Sequence, residues 1–352
     1  MLTQRVVSLP GSNSVRVSQL GIGGSLALSL LSCPALAQTY GVNSITSSSP
    51  NLGTIVSGPV GTTVFTVSPS GSVSSSGGSA IQIATEGPAA PTVTVRCTSS
   101  ALCNTTDAVI TISNIGSPSN RAGPVTNFTA TMRSTVLETG SSLGPANPLS
   151  FTIKPIAQGT TQTFTVGMDF PVLGDNSGAN TGTSVSNFQV SIMRAPSGTI
   201  ASRTAAGATA KVFRALSIAH ANGDDLAFGR IVPPKAGNAF VKVTAAGVLT
   251  VSGNGLALTP TSARAALFTV VGEGSSRFSI CLPSPITLTS TSDPGDTLAI
   301  TLIPSATTSY SFGGSLGSSV TYPFTVGGSF NLPSTQSPGV YKGSMMLTLE
   351  YE

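Results

Sequence analysis

Charge is the scarcest feature of this 352-residue chain: 16 Lys or Arg and 12 Asp or Glu together make up 8% of it. There is no Trp, and His220 is the one histidine. A single imidazole cannot build a His-rich zinc cluster, and no pattern around it marks a general base. Asn222, Asp224 and Asp225 follow it without the regular ligand intervals and distal Glu of a calcium loop, so the group reads as a solvated turn. Lys and Arg nowhere cluster, which removes the electrostatic footprint of a nucleic-acid binder. The Gly-rich stretch 71–78 lacks a Lys at phosphate-loop spacing and reads as a flexible hairpin loop. No stretch beyond the N-terminal region approaches the roughly twenty apolar residues of a membrane helix.

What the chain does have is 39 Gly, 24 Pro and a 39% apolar fraction, set out in short alternating runs. At its start, Arg5 and Arg16 supply positive charge and Ile22 to Leu31 a short apolar core. Ala35-Leu36-Ala37 then offers small residues at a cleavage site. Residues 1–37 are therefore predicted as a signal peptide, cut before Gln38. Leu30-Leu31-Ser32-Cys33 leaves a second route open, acylation of Cys33, although Leu31 and Pro34 fit that pattern poorly. Either way the mature chain is expected outside the cytoplasm, in the periplasm, on the cell surface or beyond it.

The sequence also repeats itself. Leu52-Gly53-Thr54-Ile55-Val56 answers Phe228-Gly229-Arg230-Ile231-Val232 at an offset of 176. At the same offset Phe65-Thr66-Val67 with Pro69-Ser70-Gly71 answers Val241-Lys242-Val243 with Ala245-Ala246-Gly247. Glu86-Gly87 before Cys97 is matched with Glu273-Gly274 before Cys281, and recurrence of these acids beside Gly suggests a turn or strand-edge role. Phe164 to Phe170 parallels Phe324 to Phe330, and each leads to a final alternating strand: Phe188, Val190 and Ile192 in one, Met345, Leu347, Leu349 and Tyr351 in the other. The expected organisation is a first domain over 38–194, a linker over 195–208 that could instead lay down a short strand, and a second domain over 209–352.

Short runs of Val, Ile, Thr, Phe and Tyr, cut by Gly, Pro, Asn and Ser, read as strands and turns. Val64 to Pro69, Val109 to Ile112 and Leu298 to Leu302 are examples. Ala205 to Leu216 is Ala-rich but lacks a 3.6-residue face. The predicted fold is all-β: two tandem immunoglobulin-like antiparallel β-sandwiches.

Leu226-Ala227-Phe228-Gly229-Arg230-Ile231, Phe268 to Gly274, Tyr322 to Gly328 and Gly339-Val340-Tyr341-Lys342-Gly343 together resemble the bacterial domain of unknown function 4402 family. The resemblance spans about 209–352, and the first half follows it less faithfully. It implies exported, immunoglobulin-like modules similar to pilin or spore-coat-like subunits, with no catalytic activity. Periplasmic chaperones or other fimbrial subunits are then the implied partners. A C-terminal strand with an aromatic residue next to last is what such a chaperone pairs with, which makes Met345, Leu347, Leu349 and Tyr351 the candidate strand-pairing edge. Donor subunits also carry a long alternating N-terminal extension, and Gln38 to Ser49 is a short, weak one.

Cys97 and Cys103 flank a tight loop and are expected to form a disulfide in an oxidising compartment. Cys281 has no nearby mate and reads as a small buried hydrophobe. Asn104-Thr105-Thr106 and Asn127-Phe128-Thr129 fit the glycosylation pattern, which is common by chance. The functional expectation is a non-enzymatic exported structural or surface protein, without cofactor or metal. One alternative is a two-domain tip or adhesin subunit of a chaperone–usher fimbria, completed by a donor strand. A carbohydrate-binding module is the other.

Overall fold

The structure, a computed structural model, describes residues 40–46, 50–86, 90–98, 101–132, 143–196, 200–221, 223–305 and 309–352. The expected signal peptide, Cys33 and Asn222 lie outside these. The described residues form strands and a few 3-10 turns, arranged in several sheets consistent with tandem immunoglobulin-like sandwiches.

The strands of the first half are β1 (Tyr40–Thr46), β2 (Asn51–Val56), β3 (Thr62–Val67), β4 (Val73–Gly77), β5 (Ile81–Ala84), β6 (Thr92–Cys97), β7 (Ala108–Ile115), β8 (Thr126–Met132), β9 (Leu149–Ile153), β10 (Thr161–Leu173), β11 (Gly182–Arg194) and β12 (Ile200–Phe213). One sheet runs β1-β6-β10-β3-β4 with β8 also on β10; the other runs β5-β2-β12-β11-β7-β9. Side chains alternate along each strand, so Val93 and Val95 of β6 turn inward while Thr94 and Arg96 do not. Between the sheets lie rings from both, with Phe128 of β8 6.0 Å from Phe188 of β11, and Phe151 of β9 meeting Phe164 of β10 edge-on at 5.5 Å. Each such buried ring or aliphatic chain contributes about 1.5–3 kcal/mol.

One local expectation gives way to this architecture and another resolves. The segment 195–208, which the sequence leaves as a linker or a short strand, is β12 from Ile200 onward. That strand is antiparallel to β11 from Gly182↔Val212 to Met193↔Ile200, and parallel to β2 at Lys211↔Thr54 and Phe213↔Val56. Its inward residues are small: Ala208, Ala210 and Val212 are buried. The Ser-rich stretch inside 71–78 is not a free loop, because Val73–Gly77 pairs with β3 as β4. Residues 40–46 belong to the short extension Gln38 to Ser49. They pair with β6 as β1, with Tyr40 fully buried and its hydroxyl donating to the Cys103 carbonyl at 3.1 Å.

The second half contains β13 (Ser217–His220), β14 (Ile231–Val232), β15 (Asn238–Val243), β16 (Leu249–Ser252), β17 (Leu256–Ala257), β18 (Ala266–Glu273), β19 (Arg277–Cys281), β20 (Ile286–Ser290), β21 (Thr297–Pro304), β22 (Ser309–Ser311), β23 (Ser319–Pro333), β24 (Tyr341–Lys342) and β25 (Thr348–Tyr351). The large sheet runs β13-β18-β23-β21-β20-β24, with the β15–β16 hairpin also on β23; β14–β17 and β22-β19-β25 are separate small sheets. A second apolar core, distinct from the first, includes Val241, Phe268, Phe278, Ile300, Phe324 and Phe330.

Local geometry recurs between the halves. The β3–β4 turn is closed by Ser68 N–H to Ser72 O and Gly71 N–H to Ser68 O. The β15–β16 turn is closed by Thr244 N–H to Val248 O and Gly247 N–H to Thr244 O, 176 residues on. Gly53 and Gly229 share a left-handed backbone, φ +70° and +74°. Gly167 and Gly327 each lie against one carbonyl so closely that an added Cβ would fall 2.6 Å from Val67 O and 2.2 Å from Val243 O, respectively.

Candidate functional site

The two halves differ in how their sheets join. In the first, β12 joins β2 and β5 on one side to β11, β7 and β9 on the other, giving one sheet. In the second half β14 pairs with β17 and β25 pairs with β19, and no strand among the described residues pairs with both. Among the described strands β14 and β25 each pair on one side alone, which leaves an edge open on each.

An open cleft of about 1440 Å³ lies beside β14. One wall is the stretch from Leu226 to Pro233, the other is Gln336 to Met345, and the floor is apolar, with Phe268, Leu288, Leu298, Ile300, Phe330 and Leu332. The cleft exceeds the roughly 300–1,000 Å³ typical of small-molecule pockets. Large apolar side chains are uncovered close by, Val232 at 40% and Met346 at 80% exposure. Of the expected strand-pairing residues, Met345, Leu347, Leu349 and Tyr351 all pack against the second core, and Leu349 and Tyr351 fall within β25 opposite Ile280 and Phe278. Their side chains pack inward. Cationic side chains rim the cleft at Arg230, Arg264 and Lys342, while its one acidic lining residue, Asp225, faces His220 at 3.7 Å. His220 itself stacks on Phe268 at 4.9 Å.

A buried polar junction between the halves, which the sequence did not reveal, gathers around Glu273 and Arg214. Glu273, fully buried at the end of β18, accepts from the Arg214 backbone N–H at 3.3 Å, from Arg214 Nε at 3.1 Å and from the Gly317 N–H. Arg214 follows β12 directly and also donates to Thr181 Oγ1 at 3.0 Å. The Tyr351 hydroxyl accepts from Glu273 N–H at 2.9 Å and donates to Arg214 O at 3.0 Å, with its ring 5.3 Å from Phe213. Burial pushes this phenol up to about 12. One residue on, Ala215 N–H donates to Asp175, which pairs with Arg121 and accepts from Ser57. Burial, with Arg214 nearby, lowers the Arg121 guanidinium from its ordinary value.

Two matches drawn from the sequence do not survive. Glu86 and Glu273 are not counterparts: Glu86 is exposed and held below the usual carboxylate range by hydrogen bonds from Lys211 and Asn51, whereas Glu273 is buried at the junction. Cys97 and Cys281 also differ, since β6 pairs with β10 while β19 pairs with β22 and β25, and Cys281 is exposed rather than buried. Cys97 and Cys103 are bonded to each other, with Cα atoms 5.9 Å apart.

No group of three or more His, Cys, Asp or Glu among the described residues could hold a metal, and no described helix is long and apolar enough to cross a membrane. An exposed aromatic platform for sugars is also lacking: of the exposed large apolar side chains described, Phe240 supplies the sole ring.

No curated protein matches the chain. Among solved structures, it is similar to a chaperone–tip adhesin complex described as vital for synergistic activation of CFA/I fimbriae biogenesis, at 9% identity over 87% of this chain and 97% of that one, TM-score 0.28. A mutant of the CFA/I adhesin CfaE from enterotoxigenic E. coli is similar at 10% identity over 87% and 93%, TM-score 0.27. In sequence, the half of the chain that holds the cleft, residues 216–351, matches the family described as Domain of unknown function (DUF4402).

Proposed function

We propose that the chain is an exported, non-catalytic structural or adhesive subunit made of two copies of one sandwich plan, dividing near Arg214, with the second copy completed by a strand from elsewhere. One observation carries this reading. The first half holds β12 between β2 and β11, whereas in the second half the wall 226–233, with β14, borders an open apolar cleft, and β25 pairs on one side alone among the described strands. Backbone hydrogen bonds to two free edges and an apolar floor for alternate side chains are what an added strand uses. The matching hairpins and glycines of the two halves support treating the slots as equivalent. A fimbria-like or other surface assembly is the setting that fits.

The test is light scattering coupled to size exclusion, with amide hydrogen exchange, on the protein exported into an oxidising periplasm. Alone, it is expected to self-associate and to exchange rapidly at Ile231–Val232 and Thr348–Tyr351. A supplied alternating peptide should yield a monodisperse species protected at both segments. A stable monomer, already protected there and indifferent to added strands, would overturn the reading.

A further inference from the structure

Resting on that reading, we infer that the strand taken up by the second half carries a carboxylate next to its C-terminal inward residue, and that a strand with the charge pattern of β12 is disfavoured there. In the first half, the ladder sets Lys211 of β12 against Thr54 of β2, and Lys211 Nζ lies 2.6 Å from Glu86 Oε1 on the neighbouring segment. There the filling strand is basic and the wall is acidic. At the 176-residue offset, the place of Thr54 is taken by Arg230.

The wall of the second slot thus has the opposite sign. Arg230, Arg264 and Lys342 all line the cleft and are exposed, and none forms an ion pair among the described residues. Asp225 is the acid in that lining, and it already faces His220. A lysine arriving where Lys211 sits in the first half would meet Arg230, in a cleft that two more cations line. A carboxylate there would find uncompensated positive charge. Like-charge juxtaposition rejects wrong partners more effectively than attraction rewards right ones. The inward pattern is given by β12 itself, where Ala208, Ala210 and Val212 are buried at alternate positions and Lys211 stands exposed between the last two. The partner is therefore an extended segment, small and apolar at every second residue, with Asp or Glu in the place of Lys211. It runs parallel to 228–232 and antiparallel to β25. The sign reversal also keeps β12-like strands of neighbouring copies out of the second slot.

The experiment titrates the full protein into three fluorescein-labelled peptides with the sequence of residues 200–213: one unchanged, one with Lys211→Gln and one with Lys211→Glu. Anisotropy is read at about 50 mM and about 300 mM salt. The Glu peptide should bind about tenfold more tightly than the Lys peptide at low salt, with the gap narrowing at high salt. Arg230→Glu, an exposed substitution, should reverse the order. Equal affinity of all three peptides, or an order unchanged by Arg230→Glu, would overturn the charge inference while leaving strand uptake intact. Failure of every peptide to bind would overturn strand uptake itself and the inference with it. Uptake of a fluorescent fatty acid in preference to every peptide would assign the cleft to lipid and overturn both.

Discussion

The Tyr351 hydroxyl donates to the backbone carbonyl of Arg214 across 137 residues of sequence, at 3.0 Å. The same oxygen accepts from Glu273 N–H, so the last described strand is tied to the point where the first sheet ends. The second core thus closes on the junction through one side chain.

Tyr351→Phe removes both bonds and leaves a part-buried N–H and C=O without partners. An expected loss of about 1–3 kcal/mol follows, readable as a lower urea midpoint. Alkali provides a second readout. The folded phenol holds its proton up to about 12, whereas the unfolded one releases it near 10.0. The associated stabilisation is complete below the lower value and is lost as pH rises through the upper one. Tyr40, Tyr310 and Tyr341 are also raised, chiefly by burial, so the alkaline decline should become shallower in Tyr351→Phe without disappearing. An unchanged pH profile would mean the hydroxyl is not so held.

Glu273 and Arg214 form a pair in which the acid is wholly buried and the base mostly so. Removing one partner strands the other: Glu273→Leu alone should cost about 3–5 kcal/mol. Replacing both, Glu273→Leu with Arg214→Met, should cost distinctly less, and the double-mutant cycle should show coupling above about 1 kcal/mol. Additive losses would show that the two groups do not depend on each other.

Close backbone approach gives a third expectation. An alanine Cβ at position 327 would lie 2.2 Å from Val243 O and within 3 Å of Thr244 C and Ala245 N, all of them backbone. Only β15 moving away from β23 could relieve this. Gly327→Ala should therefore destabilise the second half by more than about 3 kcal/mol and separate its melting from that of the first half. Gly167→Ala, whose Cβ would meet Val67 O at 2.6 Å, should do the converse. A single melting transition for both variants would contradict the independence of the two cores.

Much of the fold was legible because strands announce themselves by alternation. Phe164 to Phe170, Val93 with Val95, and Met345 to Tyr351 all turned inward at the expected spacing. What was missed follows from weak local signals. β12 fills its slot with Ala208 and Ala210, small residues of low strand propensity, so its period of two is faint and the segment reads as a linker. β4 has Ser at three of its five positions and owes its strand state to β3. Glu273 and Arg214 are 59 residues apart, and no spacing rule joins them. The cleft had no local signal either, because its lining comes from separate segments between His220 and Met345.

The Cys97–Cys103 bridge permits a test confined to the other half. It closes a separation of six residues, for which loop-closure entropy gives about 2 kcal/mol. Its second role is positional. Tyr40 sits opposite Cys97 in the β1–β6 ladder and donates to the Cys103 carbonyl and to that of Thr106. The bridge thus holds the loop that receives the first ring of β1. Cys97→Ser with Cys103→Ser should lower stability by about 2 kcal/mol. Hydrogen exchange should quicken along Tyr40–Thr46 and Thr92–Cys97, while Ala266–Glu273 and Ser319–Pro333 keep their protection. If protection fell equally in both halves, the bridge would be stabilising the whole chain through its unfolded state, and β1 would not depend on it for its place.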